Sequence, residues 1–91
     1  MKSEVDKLLK RNPQLNQLNM ATVVSHVQRE NDGWLLNTIM VDGYDVPFRY
    51  RRRKRYRSLK GARVNLTYYP EVEHLAGIDL EVMKVVRLKR A

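Results

Sequence analysis

Asp42-Gly43 stands between two alternating runs, Trp34 to Val41 and Tyr44 to Arg51, and it constrains the fold more tightly than any other dipeptide in the chain. A two-residue type I′ turn needs positive φ at both central positions, and Asp-Gly supplies it. The turn predicts a register in which Val41 faces Tyr44, Ile39 faces Val46, Asn37 faces Phe48 and Leu35 faces Tyr50. Side chains alternate across a strand, so this register gathers those last three pairs on one mostly apolar face, the predicted core. The other face carries Trp34, Leu36, Thr38 and Met40 against Asp45, Pro47, Arg49 and Arg51. Apolar bulk mixed with cations makes it the candidate binding surface.

The same period of two recurs on both sides. Thr22 to Arg29 is rich in β-branched residues and ends at the turn signal Asn31-Asp32-Gly33. Pro47 cannot donate to a ladder, which predicts either that the third strand lies at an edge or that this position points its missing donor outward. After a turn at Lys60-Gly61, Ala62, Val64, Leu66 and Tyr68 alternate with Arg63, Asn65, Thr67 and Tyr69 in a fourth strand that Pro70 is expected to end. A loop of acidic and small residues is expected next, and then a final strand with Ile78, Leu80, Val82, Val86 and Leu88 on one parity and Met83 and Val85 on the other. At the N-terminus Ser3 and Asp6 resemble a capping pair, and Val5, Leu8 and Leu9 share one side of a short helix that Asn12-Pro13 would end. Gln14 to Met20 could add another helical turn.

These elements predict a mainly β protein: a five-stranded antiparallel small barrel or coiled sheet over 20–91, preceded by a short N-terminal helical arm over 1–19. A chain of 91 residues supports one modest core. With no cysteine it has no disulfide framework, thiolate metal site or cysteine nucleophile, and a reducing cytoplasm suits it. No apolar run approaches the roughly 20 residues of a membrane span, so a soluble chain without a membrane partner is expected.

Between Val46 and Pro70 lie nine basic residues and no acidic one, and they account for the whole formal charge of +8. Such a concentration repels itself and is best tolerated opposite a polyanion. From Arg49 to Arg57 arginine outnumbers lysine six to one. Guanidinium groups bind phosphate bidentately and stack on bases, which a merely solubilising face does not require. The candidate nucleic-acid-binding residues are Trp34, Arg49, Arg51, Arg52, Arg53, Lys54, Arg55, Tyr56, Arg57, Lys60, Arg63 and Tyr69. Trp34 and Tyr56 are the candidate stacking rings, each with the alternative of covering apolar surface. The charge run has competing readings as well, as an edge guarded against aggregation, as a dock for an acidic protein, or as a contact with anionic lipid, which usually needs an apolar face or a lipid anchor besides. The N-terminal arm offers a contact between copies of the chain.

Three meandering strands, a long connection, a fourth strand opening on Lys-Gly and a long closing strand resemble the OB-fold and related small nucleic-acid-binding barrels. Val46-Pro47-Phe48-Arg49-Tyr50 and Lys60-Gly61-Ala62-Arg63-Val64 carry the resemblance, which spans roughly 20–90. It implies binding of RNA or single-stranded DNA. The aromatic signature runs of cold-shock proteins do not occur, so backbone-dominated contact with little sequence preference is expected. No enzyme is expected. His26 and His74 are the only histidines, Glu71, Glu73 and His74 match no ligand spacing, and neither a metal nor another cofactor is called for.

Overall fold

The computed structural model describes residues 15–91. The helix expected over Ser3 to Asn12, and the contact between copies expected of it, lie outside them. Five strands follow in order: β1 (Asn16–Asn31), β2 (Trp34–Val41), β3 (Phe48–Arg52), β4 (Arg63–Leu75) and β5 (Ile78–Arg90). No helix occurs among the described residues, and Asn16 to Met20, expected as a helical turn, belong to β1. The strands close into a ring in the order β1-β2-β3-β5-β4, with β4 pairing back onto β1. Every pairing is antiparallel except that of β3 with β5.

β1 closes the ring by serving two neighbours. Its first half pairs with β4 and its second with β2, and register shifts between Leu18 and Ala21 and between Val23 and Ser25 bend it. At the first of these Met20 has φ 57°, and its N–H, released from the ladder, donates to Asn65 Oδ1 at 2.9 Å. The second shift changes which parity faces inward. Ala21 and Val23 are buried, but beyond Val24 the inward residues are His26 and Gln28, while Val27 is exposed.

The predicted core face is observed, in a different register. Leu35, Asn37, Ile39, Phe48 and Tyr50 are all buried, yet Ile39 pairs with Phe48 and Asn37 with Tyr50, two residues from the expected partners. The cause lies at Asp42-Gly43, where Tyr44 N–H donates to Val41 O at 3.1 Å but only Gly43 has positive φ, at 87°. Without positive φ at both positions the turn does not match the strand twist, and the strands splay before pairing again. The two-residue turns with paired positive φ are elsewhere, at Asp32-Gly33 (51° and 78°) and Ala76-Gly77 (51° and 79°).

Four further expectations are corrected. β3 lies between β2 and β5 instead of at an edge; Pro47 precedes it, and the Pro47 carbonyl accepts from Met83 N–H at 2.8 Å. Pro70 does not end β4, which continues to Leu75 with Pro70 opposite Met83. Beyond Tyr68 no described residue pairs with the β1-facing side of β4, so a residue lacking a donor is tolerated there. The expected acidic loop is therefore strand and tight turn. In β5, a shift opposite Thr67 and Tyr68 leaves Val86 unpaired, so that Val85 joins the core and Leu88 packs against it.

The core itself combines Ala21, Val23, Ile39, Val41, Phe48, Tyr50, Leu59, Val64, Leu66, Tyr68 and Val85. Phe48 is its centre: the Tyr68 ring packs edge-on at 5.0 Å and the Tyr44 ring at 5.7 Å. Burial raises the Tyr68 phenol above the ordinary tyrosine value, and the neighbouring Tyr44 phenol adds to the rise.

Candidate nucleic-acid interface

Register decides which cations share a face. Val27 of β1, Thr38 of β2, Arg49 of β3, Lys84 of β5 and Tyr69 of β4 are successive cross-strand partners and form one row on the outside of the ring. The next row is Arg29, Leu36 and Arg51. Two residues further along, the Arg53 guanidinium lies 4.0 Å from the centre of the Trp34 ring. The first two rows, excepting Tyr69, line a groove of about 480 Å³ whose apolar floor includes Leu36 and Val27.

Glu73 also lines this groove, and its carboxylate bonds the Arg49 guanidinium. Arg49, expected as a phosphate contact, is thus already engaged, and its Nε is buried without a partner. Among the described lysines and arginines it alone meets a carboxylate. His74, considered with Glu71 and Glu73 as a ligand group, bonds Asp79 across the β4–β5 hairpin.

Tyr50 and Arg52 alternate to the opposite side, where a second cavity of about 430 Å³ opens beneath the loop that follows β3. The chain bends at Arg53 and Lys54 and runs irregularly to Ala62. Repulsion among its cations favours an extended segment, but its end is tied to β1, where Gly61 N–H donates to Val23 O at 2.8 Å and Val23 N–H to Ala62 O at 2.9 Å, and three further contacts hold it before that. Leu59 inserts into the core; Gln28 Nε2 donates to Tyr56 O at 3.0 Å; Leu59 N–H donates to His26 Nδ1 at 2.9 Å. Since Nδ1 accepts, the neutral imidazole carries its proton on Nε2 and donates to Asn37 Oδ1 at 2.8 Å. Asn37 Nδ2 then donates to Leu35 O at 3.0 Å. This directed chain satisfies a buried asparagine and fixes the loop with the same groups.

The two expected stacking rings both carry a guanidinium. Trp34 is covered on one face by Arg53, and Tyr56, 53% exposed, has Arg52 at 5.1 Å from its ring centre. Arg52 also lies 5.4 Å from the Tyr50 ring centre. Burial raises the Tyr50 phenol above its ordinary value, and Arg52 partly offsets the rise; burial and then Glu71 raise that of Tyr69. Lys54, Arg55, Lys60 and Arg63 are exposed and line neither cavity, and Tyr69 ends its row on β4 away from the loop.

His26, Gln28, Arg29, Asn37, Lys84, Lys89 and Arg90 are among the site residues that sequence reasoning passed over. Asn37 did carry a signal, since a polar residue on a core face demands a buried partner. Nothing in the sequence pointed to His26, because the irregularity at Val24 turns it inward. Compared with known proteins, the chain matches no family model, no curated protein and no solved structure.

Proposed function

We propose that this protein is a non-catalytic nucleic-acid-binding module that takes RNA or single-stranded DNA along the outer face of β2 and β3, with little sequence preference. The observation that carries the reading is the pair of rows Thr38–Arg49–Lys84 and Arg29–Leu36–Arg51, which converge cations on a groove with an apolar floor. Phosphates take the guanidiniums and release counterions, while sugars and bases cover Leu36 and Val27. The OB-like reading adds support. In that architecture the face of the second and third strands, flanked by the β1–β2 and β4–β5 turns, holds oligonucleotides. Here the groove lies on β2 and β3, with Arg29 of β1 and Glu73 of β4 among its walls. A cytoplasmic setting belongs to the same reading.

Docking of an acidic protein remains the second reading, favoured by the guanidiniums that already occupy Trp34 and Tyr56. Anisotropy titration of a labelled single-stranded RNA across salt concentrations separates the two. Nucleic-acid binding gives a log-log slope of about −3 to −4, or roughly four to six phosphates. Changing Arg51, Arg53 and Arg55 together to Glu abolishes binding while the circular dichroism of the fold persists. Glu73→Gln, which frees Arg49, tightens binding about two- to fivefold, in keeping with the modest strength of a partly exposed ion pair. Unchanged affinity in the triple variant sinks the proposal.

A further inference from the structure

The cavity beneath the loop differs from the outer groove in one respect: no carboxylate lines it. Arg52 of β3 and Arg57 of the loop line it on one side, and Lys89 and Arg90 at the end of β5 line it on the other. None of the four meets a carboxylate among the described residues. Four cations without a carboxylate partner thus border one cavity, and an anion placed there relieves their repulsion. The walls are set in advance. Arg52 is held between the Tyr50 and Tyr56 rings, and the far side is the His26–Asn37 chain, whose hydrogen-bonding groups already anchor the loop. A guanidinium ordered in this way loses little freedom on forming a bidentate bond.

We infer that this cavity is a site for a nucleotide bearing a terminal phosphate monoester, the end of a bound strand, and that it is separate from the outer groove. The inference rests on the nucleic-acid reading. The charge favours a monoester over an internal diester, since a diester carries one negative charge whereas a monoester carries nearly two at neutral pH. A volume of about 430 Å³ falls in the range of small-ligand sites. Arg52 and Arg57 hold the phosphoryl oxygens from one side, Lys89 and Arg90 balance the second charge from the other, and the Tyr56 ring, exposed at the rim, supports the nucleoside.

The test compares the full chain with short RNAs of one sequence ending in 5′-hydroxyl, 5′-phosphate or 3′-phosphate, and with uridine 5′-monophosphate against uridine by NMR. One phosphorylated end binds about tenfold more tightly than its hydroxyl counterpart at equal salt. Uridine 5′-monophosphate moves the resonances of His26 and Tyr56, and uridine does not. In the variant carrying Lys89→Gln and Arg90→Gln, the ratio between phosphorylated and hydroxyl ends falls towards one. A ratio below twofold in the unaltered protein overturns the inference while leaving binding at the outer groove intact. A monophosphate that binds while every RNA fails overturns the nucleic-acid reading and the strand-end assignment together, and leaves a free-nucleotide site. A ratio that survives the double substitution moves the site elsewhere and overturns the assignment to this cavity.

Discussion

The loop from Arg53 to Ala62 and the β4–β5 hairpin from Glu71 to Glu81 are opposites in how they are held. The loop has no regular backbone, yet Leu59 is buried in the core and His26 and Gln28 bond its main chain. The hairpin has an unbroken ladder, yet Leu75 and Ile78 at its tip are 62% and 60% exposed. Their charges are opposed too. The loop is basic, the hairpin carries Glu71, Glu73, Asp79 and Glu81, and the two kinds of charge meet where Glu73 bonds Arg49 near the start of β3. Regular hydrogen bonding and burial are therefore separate sources of order. A ladder fixes the shape of a ribbon with little core, whereas a buried leucine, the His26 and Gln28 side chains and the backbone bonds of Gly61 and Ala62 to Val23 fix a loop outside any strand.

The largest expected effect contrasts the two regions directly. Leu59→Ala removes a buried anchor and lowers stability by about 2–5 kcal/mol in urea unfolding, while Leu75→Ala stays within about 0.5 kcal/mol. Equal losses would mean that the hairpin tip packs as the loop does, and the contrast would fail. Next in size, His26→Ala leaves Leu59 N–H and Asn37 Oδ1 without their partner, at a cost of about 2 kcal/mol. Hydrogen exchange sharpens the reading: the Leu59 amide loses protection, and the amides around Leu75 and Ile78 do not. The smallest effect belongs to the hairpin turn. Ala76 holds φ 51°, a conformation that disfavours alanine, so Ala76→Asn raises the unfolding free energy by about 0.5–1 kcal/mol. A decrease would show that the turn is supported by something other than its own backbone.

Much of the fold was legible because strand patterning survives local errors. Misplacing the pairing of β2 and β3 by two residues left every side chain on the correct face, since the period of a strand is two. The core residues Leu35, Ile39, Phe48 and Tyr50 were therefore identified from a turn that forms differently. A shift by one residue is not forgiven. The irregularities at Val24 and Val86 reverse parity, and through them His26 faces the loop and Val85 faces the core, against the alternation of the sequence. At Pro70 the general rule that proline interrupts a ladder lost to a particular circumstance, an unpaired side among the described residues.

The candidate site divides in the same way. Its charge was visible at once, because nine cations within one segment owe nothing to the fold. Their grouping was not. Alternation along β3 sends Arg49 and Arg51 to the outer groove and Arg52 to the cavity beneath the loop, while Lys84, Lys89 and Arg90 arrive from a strand that pairs in parallel with β3 at Phe48 and Arg49. The sequence by itself determined a small β protein, the faces of its strands and a concentrated positive charge, since these depend on residue type and on a period of two. Only the tertiary structure decided which cations converge, which one is neutralised by Glu73 and what anchors the loop. Each of those depends on groups distant in the chain meeting at hydrogen-bonding distance, and the closure of the ring sets that distance.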